Sequence, residues 1–163
     1  MMSLDWQNLL KIAYTKAQGS TNPSTQNGAI LIEDDGSIVL SAINSFPDGV
    51  VETQERQKKP LRYKFSVHAE RNVLYRAALL GIKTKGLTMV CPWAACSDCA
   101  QAIIQTGIRR LVTHKQALDR SNTWQEDIEL AFTMLREAGV EIIIFGGKIG
   151  AGKILRSGEF WKP

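Results

Sequence analysis

Two short clusters, His68-Ala69-Glu70 and Cys96-Ser97-Asp98-Cys99, constrain this chain more than any other feature. The segment between them has room for one helix and one strand, so both clusters are delivered to the same edge of a sheet. One imidazole and two thiols suit a tetrahedral zinc ion whose fourth position stays open. Glu70 lies two residues beyond the histidine, where it can sit beside such a metal without ligating it and move protons. A purely structural zinc site would leave Glu70 without a role and lacks a fourth ligand. His114, the only other histidine, falls at the end of a strand beyond the second ligand helix and is expected to line the pocket or its rim.

A chain of 163 residues, 44% hydrophobic and 22% charged, reads as one soluble α/β domain. No apolar run approaches the roughly 20 residues of a membrane helix. Met1 to Trp6 lacks the basic and apolar regions of a signal peptide, so no membrane role and a cytoplasmic location are expected. In that setting the three cysteines read as metal or catalytic groups rather than a disulfide framework. Cys91 ends an apolar run and reads as a small buried hydrophobe. A net charge of +4 is compatible with an anionic substrate such as a nucleotide and argues little for a nucleic-acid partner.

Ser3 can cap a first helix with Leu9, Leu10, Ala13 and Ala17 on its apolar face, stopping at Gly19. Asn27 to Ile32 and Ile38 to Ile43 read as an antiparallel hairpin about Asp35-Gly36. Residues 50–64 are polar and basic, a solvated loop or else a lid or a phosphate-facing or subunit-facing segment. A helix opens at His68 and ends near Gly81, a strand runs from Leu87 to Cys91, and a second helix opens at Cys96 and ends at Gly107. Two helix N-termini therefore converge on the ligands and favour thiolate there. Leu111 to Thr113 is a fourth strand, and Thr123 to Glu126 has the form of a capping box before a helix ending at Gly139. Glu141 to Phe145 is a fifth strand, apolar enough to be buried on both faces. Right-handed crossovers then make the later half of the sheet parallel, giving a three-layer α/β/α sandwich with a five-stranded mixed sheet. Residues 1–145 form the expected catalytic domain and 146–163 a Gly/Lys-rich tail of it, read as packing on a neighbouring subunit. Gly147 to Lys153 matches the spacing of a phosphate-binding loop, but Ile154 stands where a Ser or Thr should follow.

His-x-Glu followed by Cys-x-x-Cys is the signature of the zinc nucleobase deaminases. With Pro23 to Ala29, Asn44 to Gly49, Arg62-Tyr63, Arg71-Asn72 and Ile103-Ile104, the chain resembles the deoxycytidylate (dCMP) deaminases of the cytidine-deaminase superfamily over roughly residues 3–145. The resemblance implies a cytidine-deaminase-like fold, one zinc per subunit in a homo-oligomer, and hydrolysis of dCMP to dUMP and ammonia. His68, Cys96 and Cys99 match the zinc ligands and Glu70 the proton shuttle. Asn44 matches a contact to the sugar region and the Ala69 N–H a donor to the pyrimidine carbonyl. The family places further substrate contacts near Ser24, Thr25 and Gln26, and Trp93 can stack on the base or sugar, or be structural. Two positions depart from the pattern: Ala95 replaces a proline, and Asn27 replaces an apolar residue. A deaminase of another cytosine- or adenine-type substrate, free or in single-stranded nucleic acid, is the alternative, and a non-enzymatic zinc-stabilised module the third reading.

Overall fold

The computed structural model describes residues 4–163. Helix α1 (Trp6–Ala17) is capped by Asp5, whose carboxylate accepts the Asn8 N–H at 3.0 Å; Ser3, the expected cap, lies outside the described residues. Strands β1 (Gly28–Ile32) and β2 (Ile38–Ile43) pair antiparallel. After a long connection carrying the short helix α2 (Arg62–Phe65) comes α3 (Ala69–Leu80), closed by Gly81 in the left-handed conformation at φ 67°. Then follow β3 (Thr88–Val90), α4 (Ser97–Gln105), β4 (Arg110–His114), α5 (Lys115–Leu118), α6 (Gln125–Glu137) and β5 (Glu141–Phe145). The chain ends in a hairpin of β6 (Ile154–Arg156) and β7 (Glu159–Trp161).

Strand order in the main sheet is β2-β1-β3-β4-β5. Strand β1 runs antiparallel to both neighbours, and β3, β4 and β5 are parallel, the mixed sheet expected from the sequence. The two-residue period of a strand sorts the core into two layers. Ile30, Ile32, Val90 and Val112 face Leu10, Ala13, Tyr14 and Ala17 of α1. Ala29, Leu31, Met89 and Leu111 face Val73 and Ala77 of α3, Ile103 of α4 and Leu135 of α6. Gly28 lets β1 begin hard against α1: a Cβ there would lie 2.5 Å from the Ala13 carbonyl oxygen.

Five strands make a sheet roughly 20 Å wide, whereas one helix is about 10–12 Å across. Helix α1 therefore leaves part of its face uncovered, and the C-terminal segment fills it. Ile149, Ala151 and Ile154 are buried in the same cluster as α1. The segment that the sequence suggests as a subunit contact thus packs on its own chain.

Two local expectations change. Strand β5 is at the sheet's edge and Ile144 is 40% exposed, since among the described residues no strand pairs with its outer side. The capping box does not form: Asn122–Trp124 is a 3-10 turn and α6 starts at Gln125 without a side-chain cap. Asp127 in its first turn instead accepts the Ser97 N–H at 2.9 Å and the Ser97 hydroxyl at 2.6 Å, so the start of α6 caps the start of α4. Helix α5 is too short for a periodic pattern to reveal.

His114 is buried on the α1 side of the sheet, away from the pocket rim, with its ring stacked on Trp161 at 5.9 Å. Its Nε2 lies 2.8 Å from the Gly147 carbonyl oxygen, which can only accept, so Nε2 carries the proton and Nδ1 is an acceptor. The Tyr14 hydroxyl, whose pKa burial raises, then donates to Nδ1 at 2.6 Å. Burial, helped by Arg120 and opposed by Gly147 and Asp119, lowers the pKa of His114. The folded chain therefore binds fewer protons than the unfolded chain below about pH 6.5. This contribution to stability is present above that pH and is lost as pH falls through the lowered folded pKa. Thermal melts of the wild type and His114→Gln across pH 5 to 8 should show a smaller loss on acidification in the variant; parallel curves would contradict the assignment.

Candidate active site

The C-terminal ends of β2 and β3 and the N-terminal end of β1 meet at one edge of the sheet, since Gly28 pairs with Ile43 and Ile30 with Val90. Both clusters open there. His68 is the residue before α3 and Cys96 the residue before α4, each with extended backbone. Cys99 lies in the first turn of α4 and is fully buried. The His68 Nδ1 is 3.4 Å from the Cys96 sulfur and 3.5 Å from the Cys99 sulfur. Tetrahedral zinc bonds of roughly 2.0 Å to nitrogen and 2.3 Å to sulfur separate such atoms by about 3.6 Å. The three donor atoms lie within 4.8 Å of one another, so the residues fit a single zinc ion.

The electrostatics suit a cation. A hydrogen bond from Cys99, aided by His68 against the cost of burial, lowers the Cys96 thiol pKa from its ordinary value. The same hydrogen bond and burial raise Cys99 well above its ordinary value. The protein's own groups thus support one thiolate, and a divalent cation supplies the charge that lets the second ionise.

Glu70 is 2% exposed and sits in the first turn of α3. Burial raises its pKa, with His68 opposing and Cys96 adding to the shift. Asn27, the departure noted in the sequence, reaches it: its Nδ2 lies 3.4 Å from the Glu70 Oε2 and 3.3 Å from the Cys91 sulfur. Cys91 is fully buried, as expected.

His68, Glu70 and Cys96 border a cavity of about 430 Å³, the size of a small-molecule site. Ser24, Thr25, Asn44 and Trp93 also line it. The Asn44 side chain accepts the Asn27 N–H at 2.8 Å and donates to the Thr25 carbonyl at 2.7 Å, which leaves one amide N–H uncommitted. Ala69, between the lining residues His68 and Glu70, is buried as the first residue of α3, where helix geometry leaves its N–H without an intrahelical acceptor. Trp93 is 3% exposed; it donates to the Gln26 carbonyl at 2.8 Å and lies 4.3 Å beneath the Arg156 guanidinium.

Sequence reasoning left one part of the wall open and missed two others. Lys59, Arg62 and Tyr63 come from the basic connection, for which a phosphate-facing role stood as the alternative. Ser121, Thr123, Trp124 and Ile128 come from the approach to α6, and Arg156 and Ser157 from the terminal hairpin. No spacing in the chain links these segments to the ligand clusters.

Residues 4–115 match the family model for the cytidine and deoxycytidylate deaminase zinc-binding region. An uncharacterized deaminase of Aliivibrio fischeri, in the luxG 3' region, is 30% identical over 142 residues, covering 87% of this chain and 94% of that protein. The deoxycytidylate deaminase of Pongo abelii is 28% identical over 116 residues, 67% of this chain and 64% of that protein. In fold, the chain is similar to the dCMP deaminase of cyanophage S-TIM5, whose crystal structure contains dCMP and dUMP, with a TM-score of 0.68 at 24% identity over 89% of this chain and all of that one.

Metal analysis of the purified chain should find one zinc per chain. Cys99→Ser should weaken zinc by more than the roughly 10- to 100-fold that losing an outer partner costs; undiminished affinity would remove Cys99 from the ligand set.

Proposed function

Because the chain belongs to the cytidine and deoxycytidylate deaminase family, we propose that this deaminase hydrolyses dCMP to dUMP with release of ammonia. The observation that carries this reading is one cavity with a buried carboxylate beside a zinc-compatible His-Cys-Cys set at its floor and basic side chains in its walls. Zinc bound by His68, Cys96 and Cys99 supplies a Lewis acid that acidifies a water molecule. Glu70 takes a proton from the attacking water and hands it to ring N3 of cytosine, then takes the remaining proton from the new C4 hydroxyl and gives it to the amine, which leaves as ammonia while C4 becomes the carbonyl. One carboxylate serves as base and afterwards as acid.

The free amide N–H of Asn44 meets the sugar, and the Ala69 N–H the pyrimidine carbonyl. Ser24 and Thr25 border the sugar end, while Trp93 walls the base or sugar. The exposed Tyr75, Leu79 and Leu80 on α3 support the homo-oligomer implied by the family. Among the described residues no helix is long and apolar enough to cross a membrane, and the need for reduced ligand thiols favours the cytoplasm.

The purified chain should release ammonia from dCMP faster than from CMP, deoxycytidine, dCTP or a cytosine-containing oligonucleotide. Turnover of the oligonucleotide or of a free heterocycle, with none of the nucleotides, would replace this reading. Glu70→Gln should keep its zinc and lose roughly 10²–10⁴-fold in rate, and a fully active variant would exclude Glu70 as the shuttle.

A further inference from the structure

Arg156 ends β6, 41 positions beyond the last residue of the family match at 115, yet it lines the same cavity as His68 and Glu70. Its guanidinium is held in place from two sides. Its Cζ sits over Trp93, 4.3 Å from the ring centre, and its Nη2 donates to the Ser121 hydroxyl at 2.9 Å. Such stacking restrains the plane of the fork without using its donors.

The backbone that carries Arg156 is equally restrained. Leu155 exchanges hydrogen bonds with Gln26, its carbonyl accepting from the Gln26 N–H and its N–H donating to the Gln26 side chain, both at 2.9 Å. The Ser157 N–H donates to the Thr25 hydroxyl at 3.2 Å, and the Gly158 N–H to the Ser24 carbonyl at 2.8 Å. The hairpin is therefore laced to the loop that borders the cavity, and Arg156 is positioned by the fold rather than by chance rotamer choice.

What the fold does not supply is a counter-charge. Among the described residues no carboxylate lies within ion-pair distance of Arg156, and its Nε is buried without a hydrogen-bond partner. A half-buried cation without a counter-charge and a buried donor left unmatched are both costly. Lys59 and Arg62 line the cavity too, while among the described residues Glu70 is its only acidic lining residue. The unmatched charge faces the place where a substrate must enter.

We propose that Arg156 is a specificity-determining residue: its free donors receive the phosphate of a nucleoside monophosphate, so the C-terminal hairpin makes this deaminase prefer the phosphorylated substrate to the nucleoside. A phosphate dianion brings the missing charge and several acceptor oxygens, and the guanidinium fork matches its geometry. The hairpin lies outside the family match, so this selectivity is a property of the chain's own C-terminal segment. The inference rests on the deaminase reading and names the substrate class within it.

The test is a pair of binding titrations on the zinc-loaded protein, with dUMP and with deoxyuridine. The wild type should bind dUMP more tightly, and Arg156→Gln should narrow that preference roughly 10- to 100-fold, with Arg156→Lys falling between them. Unchanged zinc content and melting temperature certify the fold of each variant. Should Arg156→Gln fail to fold, the wild type labelled with ¹⁵N-arginine answers directly: the arginine Nε–H signal absent from Arg156→Lys should shift with dUMP and stay put with deoxyuridine. A full phosphate preference in folded Arg156→Gln, or an unmoved Nε–H signal, overturns the proposal. So does faster deamination of a nucleoside or free base than of its phosphate, an outcome that keeps the zinc deaminase chemistry but removes the nucleotide as its substrate. Failure of the deaminase reading looks different, because no substrate then releases ammonia.

Discussion

The site depends on two helices that begin at the same point. The residues before α3 and α4 carry His68 and Cys96, and the first turns carry Glu70 and Cys99. A helix start offers free N–H groups and partial positive charge, which favours thiolate and positions a carboxylate. This convergence requires the antiparallel β1 to place its N-terminal end beside the C-terminal end of β3. The mixed sheet is thus a condition for the site rather than a detail of topology.

The second constraint is coverage. One helix cannot shield the α1 face of a five-stranded sheet, and the uncovered strip is closed by residues 149–161. The closing segment brings Trp161 onto His114 and Arg156 onto Trp93. A requirement of packing thereby delivers a cation to the cavity wall, which links the stability of the sheet's second face to the shape and charge of the site.

The departures from the expected sequence pattern also acquire physical content. Asn27 is a buried polar side chain whose amide approaches Glu70 and Cys91, so its polarity is matched to neighbours that an apolar residue would leave unpaired. Ala95 is fully buried just before the Cys96 helix start, where it fits without disturbing the ligand geometry. Trp93 supports Arg156 on its face while its indole N–H holds the Gln26 carbonyl, so structural and cavity-lining roles coexist in one side chain.

The zinc-compatible triad, the carboxylate beside it and the order of the main elements were legible in the chain, because each rests on local spacing: a ligand pair on one helical turn, or an apolar period of two or of 3.6; the family was legible only as a resemblance of motifs. Only the tertiary structure decided which remote residues share the cavity and which apolar runs are covered. Strand β5 has the sequence of a central strand and lies at the edge, since burial depends on neighbours the strand does not encode. The cap of α4 comes from Asp127, 30 residues later, and His114 left the pocket for the core between Tyr14 and Trp161. Arg156 reaches the site for the same reason: its position is set by the strip of sheet that α1 leaves bare, a geometric remainder that no local pattern records.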